Sequence, residues 1–443
     1  MSGHPHHSGI VGPLEGSFQG ESYSVTSVEL LAGAWYQDRS LVLEFPAAWD
    51  VSVVGDEIAP ALSPDDVEQS IRQPIDSQQL ADLARGKKRV AIIIDDLTRP
   101  TPIGQLLPVI LEELAAGGVH RDAVTVVVAG GTHDASEGDI ATKLGGSLAG
   151  ELKVIYHDRR RDLVDLGRSE RGTPIHVNGW VAGCDLKIGI GGIYPHRVAG
   201  FSGGSKITAP GVCGMETARA IHSFRGASTR GGSLDTEFRG EIEDVATRIG
   251  LDFVVDVVVN QRREISAVFA GHRSHAFEHG VRFVRERFAL TDRRPADVVI
   301  ADAYPFDATL ASAIHRGSFW PLANADEDAT RVALAACPAG VSDHVLYPFR
   351  RRPTFTKRAR RWLRRVIRKP QASSSKTPAP RWRGEYFLLS SDLNKDDVAG
   401  ILTVTAVHNQ WAPLLADLER RHSGGELRVV VYRCAPLFVP SEV

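Results

Sequence analysis

The sequence predicts an α/β fold in two domains built on mainly parallel or mixed sheets. Two observations carry that expectation. Apolar runs of strand length alternate with stretches of helical spacing, the pattern of parallel strands covered on both faces. Several of these runs then release into glycine, proline and polar residues, which places reactive side chains just past the strands' carboxyl ends, where open α/β sheets bind ligands.

The elements follow in order. Alternating residues at 23–30 and 40–45 read as β-structure. Residues 90–94 (VAIII) read as a buried parallel strand ending at Asp95-Asp96, and 103–116 has helical spacing stopped by Gly117-Gly118. A second strand, 123–129, ends in Gly130-Gly131-Thr132-His133, and a third, 186–190, ends near His196. Further on, 252–260 and 296–302 read as strands, 327–337 as a helix and 427–432 as a closing strand. A boundary near residue 275 then separates a first domain, 1–275, completed by a returning segment 412–443, from a second, 276–411.

Composition narrows the function classes. With 443 residues, 43% hydrophobic and 24% charged, the chain is an ordinary globular protein with enough apolar side chains for a sizeable core. Cys184, Cys213, Cys337 and Cys434 are widely spaced and form no CxxC pair, which argues against a structural zinc site or a disulfide framework and points to the cytoplasm. The opening residues lack the apolar core of a signal peptide, no run approaches the roughly 18 apolar residues of a membrane span, and His6 and His7 read as part of a flexible tail. The net charge of −2 hides an asymmetry: fourteen Lys/Arg and no Asp/Glu fall between Arg350 and Arg383. Its first half has the pattern of a basic helix suited to nucleic acid or an anionic surface, and the block as a whole reads better as a solvated insertion with a mobile linker.

Four segments could carry chemistry. Asp96-Leu97-Thr98-Arg99-Pro100 follows a buried strand; Arg99 offers a planar fork to a carboxylate and Asp96 can orient a neighbour, while the plain alternative is a helix-capping pair. His133 and His196 each stand at a strand end, where an imidazole suits proton transfer at neutral pH. The loop Gly200-Phe201-Ser202-Gly203-Gly204-Ser205-Lys206 resembles an anion cradle with one cation added. It lacks the Gly-Lys-Ser/Thr order of a P-loop, so nucleoside triphosphate hydrolysis is not expected, and a sheltered Lys206 could serve as an amine nucleophile. His222 closes the helical stretch 216–222, where histidines are more often structural.

Taken together, Asp96-Leu97-Thr98-Arg99-Pro100, Gly131-Thr132-His133, and the block from Pro195-His196 through residues 200–206 to Pro210-Gly211, Glu216-Thr217 and His222 resemble the nickel-dependent lactate racemase family. The resemblance covers most of residues 85–310. It implies two α/β domains enclosing the active site in the cleft between them, and an isomerase that racemises or epimerises a 2-hydroxy carboxylic acid by proton-coupled hydride transfer through a 2-keto acid. It implies a nickel-pincer nucleotide, a pyridinium-3-thioamide-5-thiocarboxylic acid mononucleotide, attached covalently through Lys206 in a pocket that includes Ser202, Gly203 and Gly204. His222 would ligate nickel, His133 and His196 would be the paired acid and base, and Arg99 with Asp96 would hold the substrate. Implied partners are the small-molecule substrate and the proteins that build the cofactor. After Tyr304-Pro305-Phe306-Asp307 the chain departs from the family pattern, offering Ser312 and His315 as substrate contacts, which points to a 2-hydroxy acid larger or differently charged than lactate. Two other readings remain open from the residues alone: a zinc-dependent hydrolase using His133, His196 and His222, and a non-catalytic anion- or nucleotide-binding protein.

Overall fold

The computed structural model describes residues 26–55, 59–132, 140–146, 148–224, 232–290, 294–314, 319–342, 383–399, 401–422 and 426–440. Two six-stranded sheets organise them, and the expected α/β class holds. In the first sheet the strands lie in the order Ile265–Gly271, Phe253–Val259, Leu186–Gly192, Val90–Asp95, Val124–Ala129, Lys153–Tyr156. All neighbours are parallel except the first pair.

Burial explains why these runs are strands. Every residue of VAIIID, VTVVVA and FVVDVVV is buried, so both faces of the sheet are covered and β-branched side chains fill both. Side chains alternate between the faces. Ile92 and Ile94 join one core with Ile103, Leu106, Leu107 and Ile110 of helix Ile103–Ala116, whereas Ala91 and Ile93 join another with Phe238, Ile242 and Val245 of helix Glu237–Ile249. From Val90–Asp95 the chain adds 124–129 and 153–156 on one side, then crosses back to add 186–192 and 253–259 on the other. The strand order therefore reverses at Val90–Asp95, the position at which such sheets open a crevice.

The second sheet runs Ala406–His408, Tyr386–Leu389, Thr330–Leu334, Val298–Asp302, Arg428–Tyr432, Asp50–Val54, parallel throughout. Its membership bears on the returning segment and corrects one expected element. Residues 428–432 take a place between 298–302 and 50–54 in this sheet, whereas Cys434, Leu437, Phe438 and Val439, just beyond, bury in the first sheet's core. A shared core explains the membership: Val28, Leu43, Trp49 and Val51 bury with Val298, Ile300, Trp411 and Val429, which draws strands 50–54 and 428–432 to the second sheet. The expected helix at 327–337 is instead the strand Thr330–Leu334. The alanines at 329, 333, 335 and 336 favour a helix across 327–337, but all five strand residues are buried between two parallel neighbours, and that packing outweighs propensity.

The sheets meet through side chains that cross between them. Tyr304 and Phe306, which follow strand 298–302, enter the first sheet's core, and the Phe306 ring meets Tyr194 edge-on at 4.9 Å. The basic stretch lies outside the described residues except for Arg383. Among the described residues no helix is long and apolar enough to cross a membrane.

One buried cation makes the second sheet testable. Arg331 is 0% exposed, and donates from Nε to Leu322 O at 2.8 Å, from Nη1 to Ala329 O at 2.7 Å and from Nη2 to Asp326 O at 2.7 Å. Arg331→Met removes these three hydrogen bonds to backbone carbonyls and is expected to cost about 3 kcal/mol, read as a lowered urea midpoint with an unchanged m-value.

Candidate functional site

Three strand ends of the first sheet open onto one crevice of about 600 Å³, part of it open to solvent. Strand 90–95 delivers Asp95, Asp96 and Arg99, strand 124–129 delivers Gly130, Gly131 and Thr132, and strand 186–192 delivers Gly191 and Gly192. Ser202, Gly203 and Lys206 close it from the loop expected to cradle an anion. Six glycines line it, so much of the wall is bare backbone. At Gly211 this is obligatory, because a Cβ there would fall 1.8 Å from Ile207 O.

The Arg99 loop is held from within. Lys143 is 1% exposed; its ammonium pairs with the Asp95 carboxylate and donates to Asp96 O at 2.6 Å and Arg99 O at 3.0 Å. Asp95 Oδ2 also accepts from Thr101 Oγ1 at 2.6 Å. Asp96 Oδ1 accepts from Thr98 N at 2.9 Å and from the Thr98 hydroxyl, so its carboxylate shapes the turn. Arg99 Nη1 donates to Thr98 Oγ1 at 2.6 Å. Burial pulls the Lys143 pKa below that of an ordinary lysine, and Asp95 opposes the shift.

The Lys206 turn is held from beneath. Gly203, at φ +87°, turns the chain into the 3₁₀ segment Gly204–Ile207. Gly204 N donates to Asp256 Oδ2 at 2.7 Å, and Ser205 Oγ donates to Glu243 Oε2 at 2.5 Å. Asp256 is the one acid in the apolar strand FVVDVVV, and burial pushes its pKa up to about 7. Sequence reading passed over both Lys143 and Asp256. Asp256 did leave a signal, a lone charge inside a continuous apolar strand; Lys143 left none.

Of the expected site residues, Asp96, Arg99, Ser202, Gly203 and Lys206 thus share one crevice, and Gly204 anchors its edge. His196 stands beside it in the short strand Pro195–His196, and its Nδ1 accepts from Val198 N at 3.2 Å and Ala199 N at 3.0 Å. In the neutral ring the proton is therefore on Nε2. His222 caps helix Met215–Ile221, and its Nδ1 donates to Ala218 O at 2.6 Å, which leaves the lone pair on Nε2. Neither ring lines the crevice. Ser312, 3% exposed, reaches from the second sheet and sets Oγ 3.4 Å from Thr98 O. His133 and His315 lie outside the described residues.

A reversal of strand order, a wall of bare backbone, and an arginine and a lysine facing one crevice define an α/β protein suited to a small anionic ligand. Residues 36–231 match the family described as the lactate racemase N-terminal domain. The chain is 30% identical over 258 residues to a lactate racemase of Thermoanaerobacterium thermosaccharolyticum and 31% identical over 258 residues to one of Lactiplantibacillus plantarum. Each match covers 56% of this chain and 60% of the relative, so the matched stretch spans less than two thirds of those proteins. In fold, the apoprotein structure of the Thermoanaerobacterium thermosaccharolyticum lactate racemase superposes with a TM-score of 0.71 at 23% identity, over 94% of this chain and 100% of the other. A Thermotoga maritima protein from structural genomics superposes at 0.59 with 14% identity, over 87% of this chain and 100% of that one. The resemblance to the lactate racemase family read from the motifs is borne out by these matches.

Asp256 gives the site a pH signature. An unfolded aspartate titrates near 4, whereas the folded one titrates near 7. The folded state keeps this proton longer, so the Asp256 contribution favours folding below about pH 4 and is lost as pH rises to about 7. Asp256→Asn still accepts from Gly204 N, and is expected to remove on the order of 3 kcal/mol of that decline, measured by urea unfolding from pH 4 to 8.

Proposed function

We propose that this chain is an isomerase, a racemase or epimerase of a 2-hydroxy carboxylic acid that depends on a nickel-pincer nucleotide. The observation that carries the reading is the convergence of Arg99 and Lys206 on one glycine-lined crevice where the strand order reverses. The family match over 36–231 spans both. Four free, buried thiols fit a cytoplasmic setting, in which the host's cofactor-building proteins would be its partners.

The residues fit the group. Lys206 offers an amine at the crevice wall for the covalent link, the bare backbone of Gly203 leaves room beside it, and donation of His222 Nδ1 to Ala218 O puts the ring's lone pair on Nε2, the chemistry of a metal donor. When bound, the group supplies a carbon that takes hydride from the substrate Cα and returns it to either face of the resulting 2-keto acid.

The chain's own side chains do the rest. Arg99 holds the substrate carboxylate through its planar guanidinium, and Asp96 keeps the Arg99 turn in shape. His196 gives or takes the hydroxyl proton at Nε2, with His133 in the opposite acid/base role. Removing Cα–H as a proton would build a second negative charge beside the carboxylate, so hydride removal with a histidine on the hydroxyl is the easier route. Ser312, with its hydroxyl engaged at Thr98 O, and His315 stand where lactate racemases carry other groups, and favour a larger or differently charged 2-hydroxy acid, a sugar acid or a dicarboxylate.

The test is a panel of 2-hydroxy acids run in heavy water with cofactor-loaded protein, alongside intact mass and metal analysis. The reading expects inversion with Cα hydrogen largely retained, nickel in the protein and an adduct on Lys206. Extensive solvent deuterium at Cα rejects the hydride route, and zinc without an adduct favours the hydrolase reading. Arg99→Ala is expected to lower kcat/KM by about a hundredfold, mostly through KM, in the same assay.

A further inference from the structure

We infer that Trp35 is a positioning residue for Arg99, and that the turn bearing it couples the second sheet to the substrate loop of the first. The inference rests on the reading of Arg99 as the carboxylate anchor. Trp35 lies between the antiparallel strands Ser27–Ala32 and Arg39–Glu44, whose side chains belong to the second sheet's core. From there its indole Nε1 donates to Arg99 O at 2.9 Å, the same carbonyl that Lys143 reaches at 3.0 Å.

The turn is tied at its other side as well. Gly33 N and Ala34 N donate to Asp307 Oδ2 at 2.7 Å and Oδ1 at 3.1 Å, and Asp307 follows strand 298–302 of the second sheet. Ser312, five residues further on, sets its hydroxyl against Thr98 O at 3.4 Å. Two consecutive carbonyls of the substrate loop, at 98 and 99, are thus held by the second sheet, one directly and one through Trp35. Arg99 Nη1 folds back onto Thr98 O at 3.1 Å, so a shift of these carbonyls moves the guanidinium with them.

Chain chemistry alone does not call for tryptophan here. Its φ is +70°, a left-handed conformation that favours glycine or asparagine, and the side chain is only half-buried. The ring is kept in place by cations: Arg263 Cζ lies 4.5 Å and Lys143 Nζ 5.6 Å from its centre. Arg263 is in turn fixed by Nε donating to Tyr304 Oη at 2.9 Å. A strained, aromatic turn residue whose one N–H meets the substrate loop is a device for holding that loop. The family match begins one residue later, at 36.

The test uses the full chain with Trp35→Phe, which keeps an aromatic ring for the cations and removes the indole N–H together with the pyrrole half of the ring system. Amide hydrogen exchange at residues 96–101 is expected to speed up about tenfold, with the rest of strand 90–95 and the melting temperature unchanged. Oxalate, titrated as a carboxylate probe, is expected to bind about tenfold more weakly, and the variant is expected to add no further loss in an Arg99→Ala background. Trp35→His, which restores a ring N–H, should recover part of the affinity; if Trp35→Phe lowers the melting temperature and Trp35→His restores stability without affinity, the role is structural only and the inference fails. Unchanged exchange at 96–101, or an affinity loss that adds in full to Arg99→Ala, also overturns it. If the unaltered protein binds no oxalate while exchange responds as expected, the Trp35 clamp stands and the carboxylate role of Arg99 is what fails.

Discussion

The buried pairing of Lys143 with Asp95 is the constraint on which the crevice depends. Both charges are withdrawn from water at the end of the strand about which the sheet reverses, and an unpaired ion there would cost several kcal/mol. Desolvation is offset by the carbonyls of Asp96 and Arg99 on the ammonium and the Thr101 hydroxyl on the carboxylate. One lysine thereby cinches the strand end, the loop after it and the approach to helix Ile103–Ala116.

The crevice divides its polarity by layer. Arg99 and Lys206 face it with cations, and bare glycine backbone lets a ligand come close to both. Beneath the Lys206 turn lie the carboxylates of Asp256 and Glu243, each holding one residue of it, with Arg239 Nε 3.0 Å from Glu243 Oε1. A Cβ at Gly203 would approach Asp256 Oδ1 to 3.0 Å, so that carboxylate lies directly under the wall. Turn geometry and local field are set by the same buried groups, which is why a change in the charge of Asp256 bears on both stability and the site.

How much was legible depended on whether a residue's role was settled by its chain neighbours. The strands at 90–95, 124–129, 186–192 and 253–259 could be read because burial on both faces demands continuous apolar runs, and the loops at 96–100 and 200–206 because glycines and charges at strand ends are unusual in a packed core. Thr330–Leu334 misled because the alanines in and around it, at 329, 333, 335 and 336, favour a helix and only its neighbours at 298–302 and 386–389 make it a strand. The partners of 428–432 were hidden for a related reason: a parallel strand buried on both faces carries nothing in its own residues that names its neighbours. His196 and His222 stood out in the sequence by their places at a strand end and a helix end, whereas the ring nitrogen that each one engages, and the fact that the crevice wall omits both, came only from the folded chain.

By itself, then, the sequence determined the α/β class, the strands of the first sheet and the loops that end them, because periodicity and turn chemistry act between residues close along the chain. The tertiary structure alone decided that strands 50–54 and 428–432 join the second sheet, that Lys143 and Asp256 underpin the two halves of the crevice, and that Trp35 reaches Arg99. Those outcomes follow from long-range burial of charge and apolar surface, which depends on what folding brings alongside and leaves no trace in local order.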